Sequence, residues 1–194
     1  FEIDVSQWEV DAVVSAGYKW LLGPYGPGFC WIRKEVRQQL EYFQNYWIAL
    51  MDEAALRADG PIHLKEDHSA RRYDVFGTAN FFNYVPWKAS IDYLVKIGLD
   101  KVDQHNQMLV DQIVDGLDQK YFELLSPRPK KERTNIAVFS CKDASQNPHL
   151  FGFLKDKGFY LALWRNKLRV SPHIYNTPQE MESLCRSLEK YASK

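Results

Sequence analysis

Hydrophobic positions along the 194-residue chain follow two different periods. Residues 10–15, Val-Asp-Ala-Val-Val-Ser, form a short β-branched apolar run that predicts a buried strand. Phe29-Cys30-Trp31-Ile32 predicts a second strand. Between them, residues 17–28 read as a loop whose last six positions hold three Gly and two Pro, which forces turns. Lys34 to Gln44 predicts a helix, and residues 45–76 read as mostly loop with one short helix.

From Asn80 onward the period becomes helical. Phe82, Val85, Ala89 and Tyr93 recur at spacings of three and four and predict one apolar face, with Gly98 as the stop. Residues 99–119 predict a second helix, with Val102, Leu109, Ile113 and Leu117 on one face. Ser126 to Lys131 reads as a polar surface turn, and Lys130-Lys131-Glu132-Arg133 as its solvated continuation. Strand and helix then alternate: a strand at 135–139, a helix at 148–157 ended by Gly158, a strand at 159–163, a turn at 165–167 and a strand at 168–171. Thr177, Pro178 and Glu180 form a capping box ahead of a last helix, whose buried face is Met181, Leu184, Cys185, Leu188 and Tyr191. The expected organisation is α/β in two parts, residues 1–75 and residues 76–194, without internal repeats.

Composition narrows the function. Lys+Arg and Asp+Glu both number 25, so no bulk positive charge recruits nucleic acid or an anionic membrane. Six Trp, 11 Tyr and 11 Phe supply large apolar area for a core. Cys30, Cys141 and Cys185 are too few and too scattered for a disulfide framework, and all three read as packing residues rather than nucleophiles. A reducing, cytoplasmic setting is expected; no apolar run reaches transmembrane length, and the first residues show no secretory-signal pattern. His63, His68, His105, His149 and His173 have no metal-ligand spacing, so no metal site is expected, and His173 reads as structural. The chain opens without Met on Phe1-Glu2-Ile3-Asp4-Val5, which reads as the middle of a folded region of a longer protein.

The chemically unusual segment is 15–28. Lys19 follows an apolar strand, flanked by Tyr18 and Trp20. A half-buried ammonium loses hydration and deprotonates more readily, and a neutral amine can form a Schiff base with a carbonyl. On spacing alone, a surface lysine with its stem packed on Trp20 is the simpler reading.

Ser-Ala-Gly-Tyr-Lys-Trp-Leu-Leu-Gly-Pro-Tyr-Gly-Pro-Gly-Phe at 15–29 resembles the cofactor-lysine signature of the class V aminotransferase family, fold-type-I enzymes that use pyridoxal phosphate (PLP). Lys19 falls on the lysine that forms the Schiff base, with Trp8 and Asp11 in the stretch leading to it. Gly77-Thr78, within Arg71 to Asn80, resembles the pair that reaches across a homodimer to the partner's cofactor phosphate. Taken singly, Gly77-Thr78 reads as a helix lead-in with Thr as cap. Leu168 to Thr177 resembles the family's C-terminal strand, placing Arg169 on the arginine that clamps the substrate α-carboxylate through a bidentate fork. Standing alone, Arg169 reads as half of a surface ion pair. The family's Ser three positions before the lysine is Ala16 here, with Ser15 one position earlier as the candidate phosphate donor and Tyr18 as a further cofactor contact.

The resemblance, from about Asp4 to Tyr191, implies the end of a PLP-transferase large-domain sheet plus the C-terminal small α/β domain, with the family's N-terminal half absent. It implies a PLP-dependent enzyme acting on an amino acid, in the transaminase, C–S lyase or epimerase branch, with a homodimeric partner and neither nucleic acid nor membrane. Because the missing half carries the phosphate-cradling helix start and the Asp that pairs with the pyridinium nitrogen, this chain alone is expected to be inactive. Desulfurases of the family need a nucleophilic Cys shortly before the carboxylate Arg. Lys157 to Arg169 contains none, and the 164–167 connection is too short for a mobile loop. The competing expectation is a non-catalytic truncated homologue that serves as a dimerisation or interaction module.

Overall fold

The computed structural model describes residues 3–41, 57, 59, 69–73 and 80–193. The chain divides into two compact units that part between Lys96 and Ile97. The boundary expected at 75/76 lies outside the described residues.

In the first unit, β1 (Ala12–Ala16) pairs antiparallel with β2 (Gly28–Ile32), Ala12 opposite Ile32 and Ala16 opposite Gly28. The open end of this hairpin is tied by Arg33, whose Nη2 and Nε donate to the Val10 carbonyl at 2.6 and 3.1 Å and whose amide donates to the Asp11 carbonyl at 2.9 Å. Helix α1 (Lys34–Gln39) follows and stops short of the expected Gln44, because Leu40 is already extended (φ -75, ψ 131); residues 42–44 lie outside the described residues. The β1 run was expected to be buried. Instead its residues alternate between exposed and half-buried, and Val14 is 76% exposed. Among the described residues β1 and β2 pair only with each other, so the outer edges of this hairpin carry no further strand.

Helix α2 (Phe81–Ile97) forms where the period predicts it, with Pro86 accommodated near its first turn. Its buried stripe is not the expected one. Phe82 (92% exposed), Val85 and Tyr93 point to solvent, whereas Asn83, Trp87, Ser90 and Leu94 face inward. The period identifies a helix but not which of two stripes is used. Here the stripe with a large ring and two hydrogen-bonding side chains finds a partner in the loop ahead of β2.

The second unit is a four-stranded antiparallel sheet of order β3-β4-β6-β5 whose buried residues share one core with its helices. Its elements are α3 (Leu99–Gly116), β3 (Phe122–Leu124), β4 (Ala137–Cys141), α4 (Asn147–Asp156), β5 (Ala162–Trp164), β6 (Lys167–Val170) and α5 (Pro178–Ala192). Leu109, Ile113 and Leu117 are buried as expected, together with Phe139, Leu150, Leu154, Leu168 and the α5 face Met181, Leu184, Cys185 and Leu188. The capping box is present: the Glu180 amide donates to Thr177 Oγ1, and the Thr177 amide donates to Glu180 Oε2 at 2.7 Å. That second bond, the largest cause, lowers the Glu180 carboxyl below its ordinary range. The cap's contribution is therefore present above the ordinary glutamate pKa and is lost as acid titrates the folded carboxylate.

Two features of this unit depart from expectation. Strand β3 is a three-residue edge paired to β4, Phe122 opposite Cys141, and is too short to produce an alternation in the sequence. Residues 128–135 are not a freely solvated turn but a strap laid along one side of α3. Arg128 pairs with Asp115 at 3.5 Å, Lys130 and Arg133 both contact Asp111, and Asn135 Nδ2 donates to Asp103 at 2.8 Å. Arg133 is buried.

A buried Asn147 joins three segments of this unit. Its Oδ1 accepts from the Cys141 amide at 2.8 Å, and its Nδ2 donates to Ser140 Oγ at 2.8 Å and the Asn166 carbonyl at 2.7 Å. These bonds hold the β5–β6 turn, where Arg165 (φ 45) and Asn166 (φ 56) adopt the left-handed backbone of a two-residue hairpin. Asparagine tolerates that conformation through its short polar side chain.

Candidate functional site

The loop between β1 and β2 is closed by backbone bonds. The Gly17 amide donates to the Pro27 carbonyl, and the Gly23 amide to the Gly17 carbonyl, both at 2.9 Å. Within that closure, the Leu22 amide donates to the Lys19 carbonyl at 3.0 Å, so Lys19 opens a tight turn. Leu22 (φ 53) takes left-handed backbone, strain that the surrounding bonds maintain.

Helix α2 brackets this loop through positions 83, 87 and 90. Asn83 Nδ2 donates to the Tyr25 carbonyl at 3.1 Å, and Ser90 Oγ to the Leu22 carbonyl at 2.9 Å. Between them the Trp87 ring lies against the two glycines. A Cβ on Gly17 would sit 2.5 Å from Trp87 Cε2, and one on Gly23 2.5 Å from Trp87 Cδ1. The sequence has glycine at both positions because no other residue admits the indole. Nothing in the hydrophobic period marked Asn83, Trp87 and Ser90 as the loop's supports; their i, i+4, i+7 spacing was the available signal.

Lys19 is exposed, which agrees with the surface lysine that its spacing alone predicts and not with the half-buried amine of the Schiff-base reading. Its Nζ lies 5.4 Å from the centroid of the Tyr18 ring, and among the described residues it has no carboxylate partner. Tyr18 is half-buried and stacks on Tyr25, centroids 4.6 Å apart with 28° between planes. Ser15 Oγ donates to the adjacent Ala16 carbonyl at a long 3.3 Å. Gly77 and Thr78 lie outside the described residues. A free primary amine, presented on a loop with closed backbone and braced from below, fits condensation with an aldehyde cofactor. The described residues supply the amine and not a phosphate cradle.

Arg169 lies in the other unit, on β6, opposite Val138 on β4 and Ala162 on β5. Its neighbours Leu168 and Val170 enter the core, so the alternation places Arg169 on the opposite face of the sheet. The guanidinium is exposed, with no carboxylate partner among the described residues. The chain beyond it is held firmly. The His173 amide donates to Asn176 Oδ1 at 3.0 Å, the Asn176 amide to the His173 carbonyl at 2.8 Å, and the Ile174 amide to His173 Nδ1 at 2.8 Å. His173 is buried and stacked on Tyr175, the structural role expected of it.

Cys141 and Cys185 are buried, and Cys30 is exposed, contrary to its expected packing role. Burial raises the Cys141 thiol and pushes the Cys185 thiol up to about 11, so neither is a thiolate at neutral pH. Trp164, on the same face as Arg169, ends β5 directly before the two-residue turn. No helix among the described residues is long and apolar enough to cross a membrane.

The family model described as Aminotransferase class-V matches residues 1–184. A probable cysteine desulfurase of Pyrococcus abyssi is 26% identical, aligned over 97% of this chain and 48% of its own length. An uncharacterized aminotransferase of Bacillus subtilis, YcbU, is 27% identical over 99% of this chain and 48% of its own. The apo structure of a cysteine desulfurase from Thermococcus onnurineus superposes with a TM-score of 0.79 at 21% identity, covering 96% of this chain and 48% of that one. The chain thus spans about half the length of the curated relatives it matches.

Proposed function

The chain belongs to the class V aminotransferase family, and from that premise we propose that the whole protein is an enzyme acting on an amino acid, with Lys19 as its cofactor lysine. The family indicates pyridoxal phosphate as the cofactor. When bound, that group withdraws electrons from the substrate Cα and so acidifies its proton. The observation that carries the proposal is the presentation of Lys19: a free amine at a tight turn, on a closed loop braced by Asn83, Trp87 and Ser90. Trapping the cofactor on the protein and finding which lysine carries it tests the assignment.

Each residue has a role in this reading. The Lys19 amine would hold the cofactor at its aldehyde carbon and, when its nitrogen is free, would take the substrate Cα proton. Tyr18 contacts the cofactor beside it. Ser15, Gly77 and Thr78 donate to the cofactor phosphate, the latter two across a homodimer; for Gly77 and Thr78 the support is the sequence resemblance alone. Arg169, exposed on the sheet face opposite the core and free of a carboxylate partner among the described residues, receives the substrate α-carboxylate.

In the full-length protein, Arg169→Lys is expected to raise KM by about tenfold to a hundredfold for whichever amino acid turns over, because a point charge replaces a bidentate fork. An unchanged KM removes Arg169 from that role.

Of the family's branches, we propose transamination, C–S lysis or epimerisation rather than persulfide-forming desulfuration. The two-residue turn at Arg165-Asn166 has no cysteine, and two of the three cysteines are buried with raised thiols. Incubated with L-cysteine and dithiothreitol, the protein is expected to show turnover that is indifferent to Cys→Ser replacement at positions 30, 141 and 185. Sulfide release that Cys30→Ser abolishes would restore the desulfurase reading.

A further inference from the structure

The lysine loop carries an aromatic pair, Tyr18 and Tyr25, of which the roles above use only Tyr18. Tyr25 is 80% exposed, an unusual site for a ring with nothing to do, and yet it is held firmly. Its carbonyl accepts from Asn83 Nδ2 at 3.1 Å, Gly26 (φ 110) turns the chain immediately after it, and the Pro27 carbonyl closes the loop onto the Gly17 amide. So fixed, its ring stacks on Tyr18 at 4.6 Å between centroids. Tyr18 is the ring over which the Lys19 ammonium lies, at 5.4 Å from the centroid.

We propose that Tyr25 is a positioning residue, pinning the Tyr18 ring so that this ring fixes where the Lys19 amine waits for the cofactor aldehyde. The proposal rests on the reading of Lys19 as the cofactor lysine and adds to it a residue that does not touch the cofactor. A lysine side chain turns about four bonds, and a solvated one samples many positions. A cation within about 6 Å of an aromatic centroid is held by the ring's negative face, and its methylene stem lies along the same surface. That restraint works only when the ring is stationary. Tyr18 precedes Lys19 directly, so an unpinned Tyr18 ring would turn about its own χ1 and carry the lysine's resting place with it. Offset stacking on Tyr25 removes that freedom without using either phenol hydroxyl.

The test is a time course on the full-length protein. Pyridoxal phosphate is added, samples are quenched with borohydride, and the label at each lysine is read by mass spectrometry, with thermal midpoints measured alongside. Tyr25→Ala is expected to slow labelling of Lys19 by about tenfold, the upper range for loss of an aromatic pair, while labelling of exposed Lys142 and Lys167 and the midpoint stay unchanged. Tyr25→Phe is expected to label Lys19 at the wild-type rate, since it keeps the ring face. Wild-type labelling of Lys19 in Tyr25→Ala overturns the proposal, as does a Tyr25→Phe protein as slow as Tyr25→Ala. Label on a lysine other than Lys19 in the unmutated protein removes the cofactor reading itself, and the proposal with it.

Discussion

Borohydride reduction of the full-length protein after incubation with pyridoxal phosphate is expected to leave the label on Lys19, and Lys19→Ala is expected to lose it. The expectation follows from the backbone that presents this amine, because exposed Lys142 and Lys167 are likewise without a carboxylate partner among the described residues. Lys88 is paired to Asp92 at 2.6 Å, and Lys130 to Asp111, so part of their charge is already answered. Lys19 has no such pair among the described residues, and its backbone is held by a turn bond on one side and a glycine closure on the other. Turnover should fall with the label by about 10² to 10⁴-fold, the span that a positioned proton-transfer group contributes. Lys19→Arg is the informative companion. It keeps the positive charge but cannot form a carbon–nitrogen double bond with an aldehyde, so it should behave like Lys19→Ala in both readouts. A Lys19→Arg protein that still accepts reducible label would show that another lysine holds the cofactor.

The lysine turn and the small α/β unit were legible for different reasons. The second unit follows rules that act over a few residues: the Thr177-Pro178-Glu180 cap, the Arg165-Asn166 turn and the i, i+4 stripe of α3 each carry their own signal. In the first unit, the loop was visible through its glycines and prolines, but its support was not. Trp87 lies 70 residues from Gly17 in sequence, and the void it fills is defined only once both are placed. A hydrophobic period could not choose between the Phe82-Val85-Tyr93 stripe of α2 and the Asn83-Trp87-Ser90 stripe, because the winning stripe is the more polar. The exposure of Lys19 was legible in its spacing but not in the chemistry of a half-buried amine. Short apolar strands on either side suggest burial, whereas no residue of β1 or β2 is more than half-buried. Arg133 was misread as solvated because composition cannot show a charge entering the protein; only its pairing with Asp111, 22 positions away, does so.

That pair gives the largest expected change in stability. The Arg133 side chain is 1% exposed, with Nη2 on Asp111 and Nη1 donating to the Arg128 carbonyl at 3.2 Å. Its Nε is buried and has no partner among the described residues, so Asp111 is the one carboxylate that answers the guanidinium. Asp111→Ala leaves a charge that cannot reach water without unpacking the strap, and breaking such a pair costs about 3–5 kcal/mol. Lys130, which reaches Asp111 from the exposed side, works in high dielectric, and Lys130→Ala should cost under about 1 kcal/mol. The sharper comparison is Asp111→Ala combined with Arg133→Met. Removing both charges and keeping the volume should recover most of the loss, because the penalty belongs to the orphaned ion and not to the missing attraction. Amide hydrogen exchange in α3 and β4 reads the opening free energy of this unit separately from the first. Added salt should hardly change the Asp111→Ala difference, whereas the exposed Arg128–Asp115 pair should weaken with it. A loss below about 1 kcal/mol for Asp111→Ala would mean that Arg133 finds water or another acceptor when its partner is gone, and the strap would then be a surface decoration on α3 rather than part of what holds β4 against it.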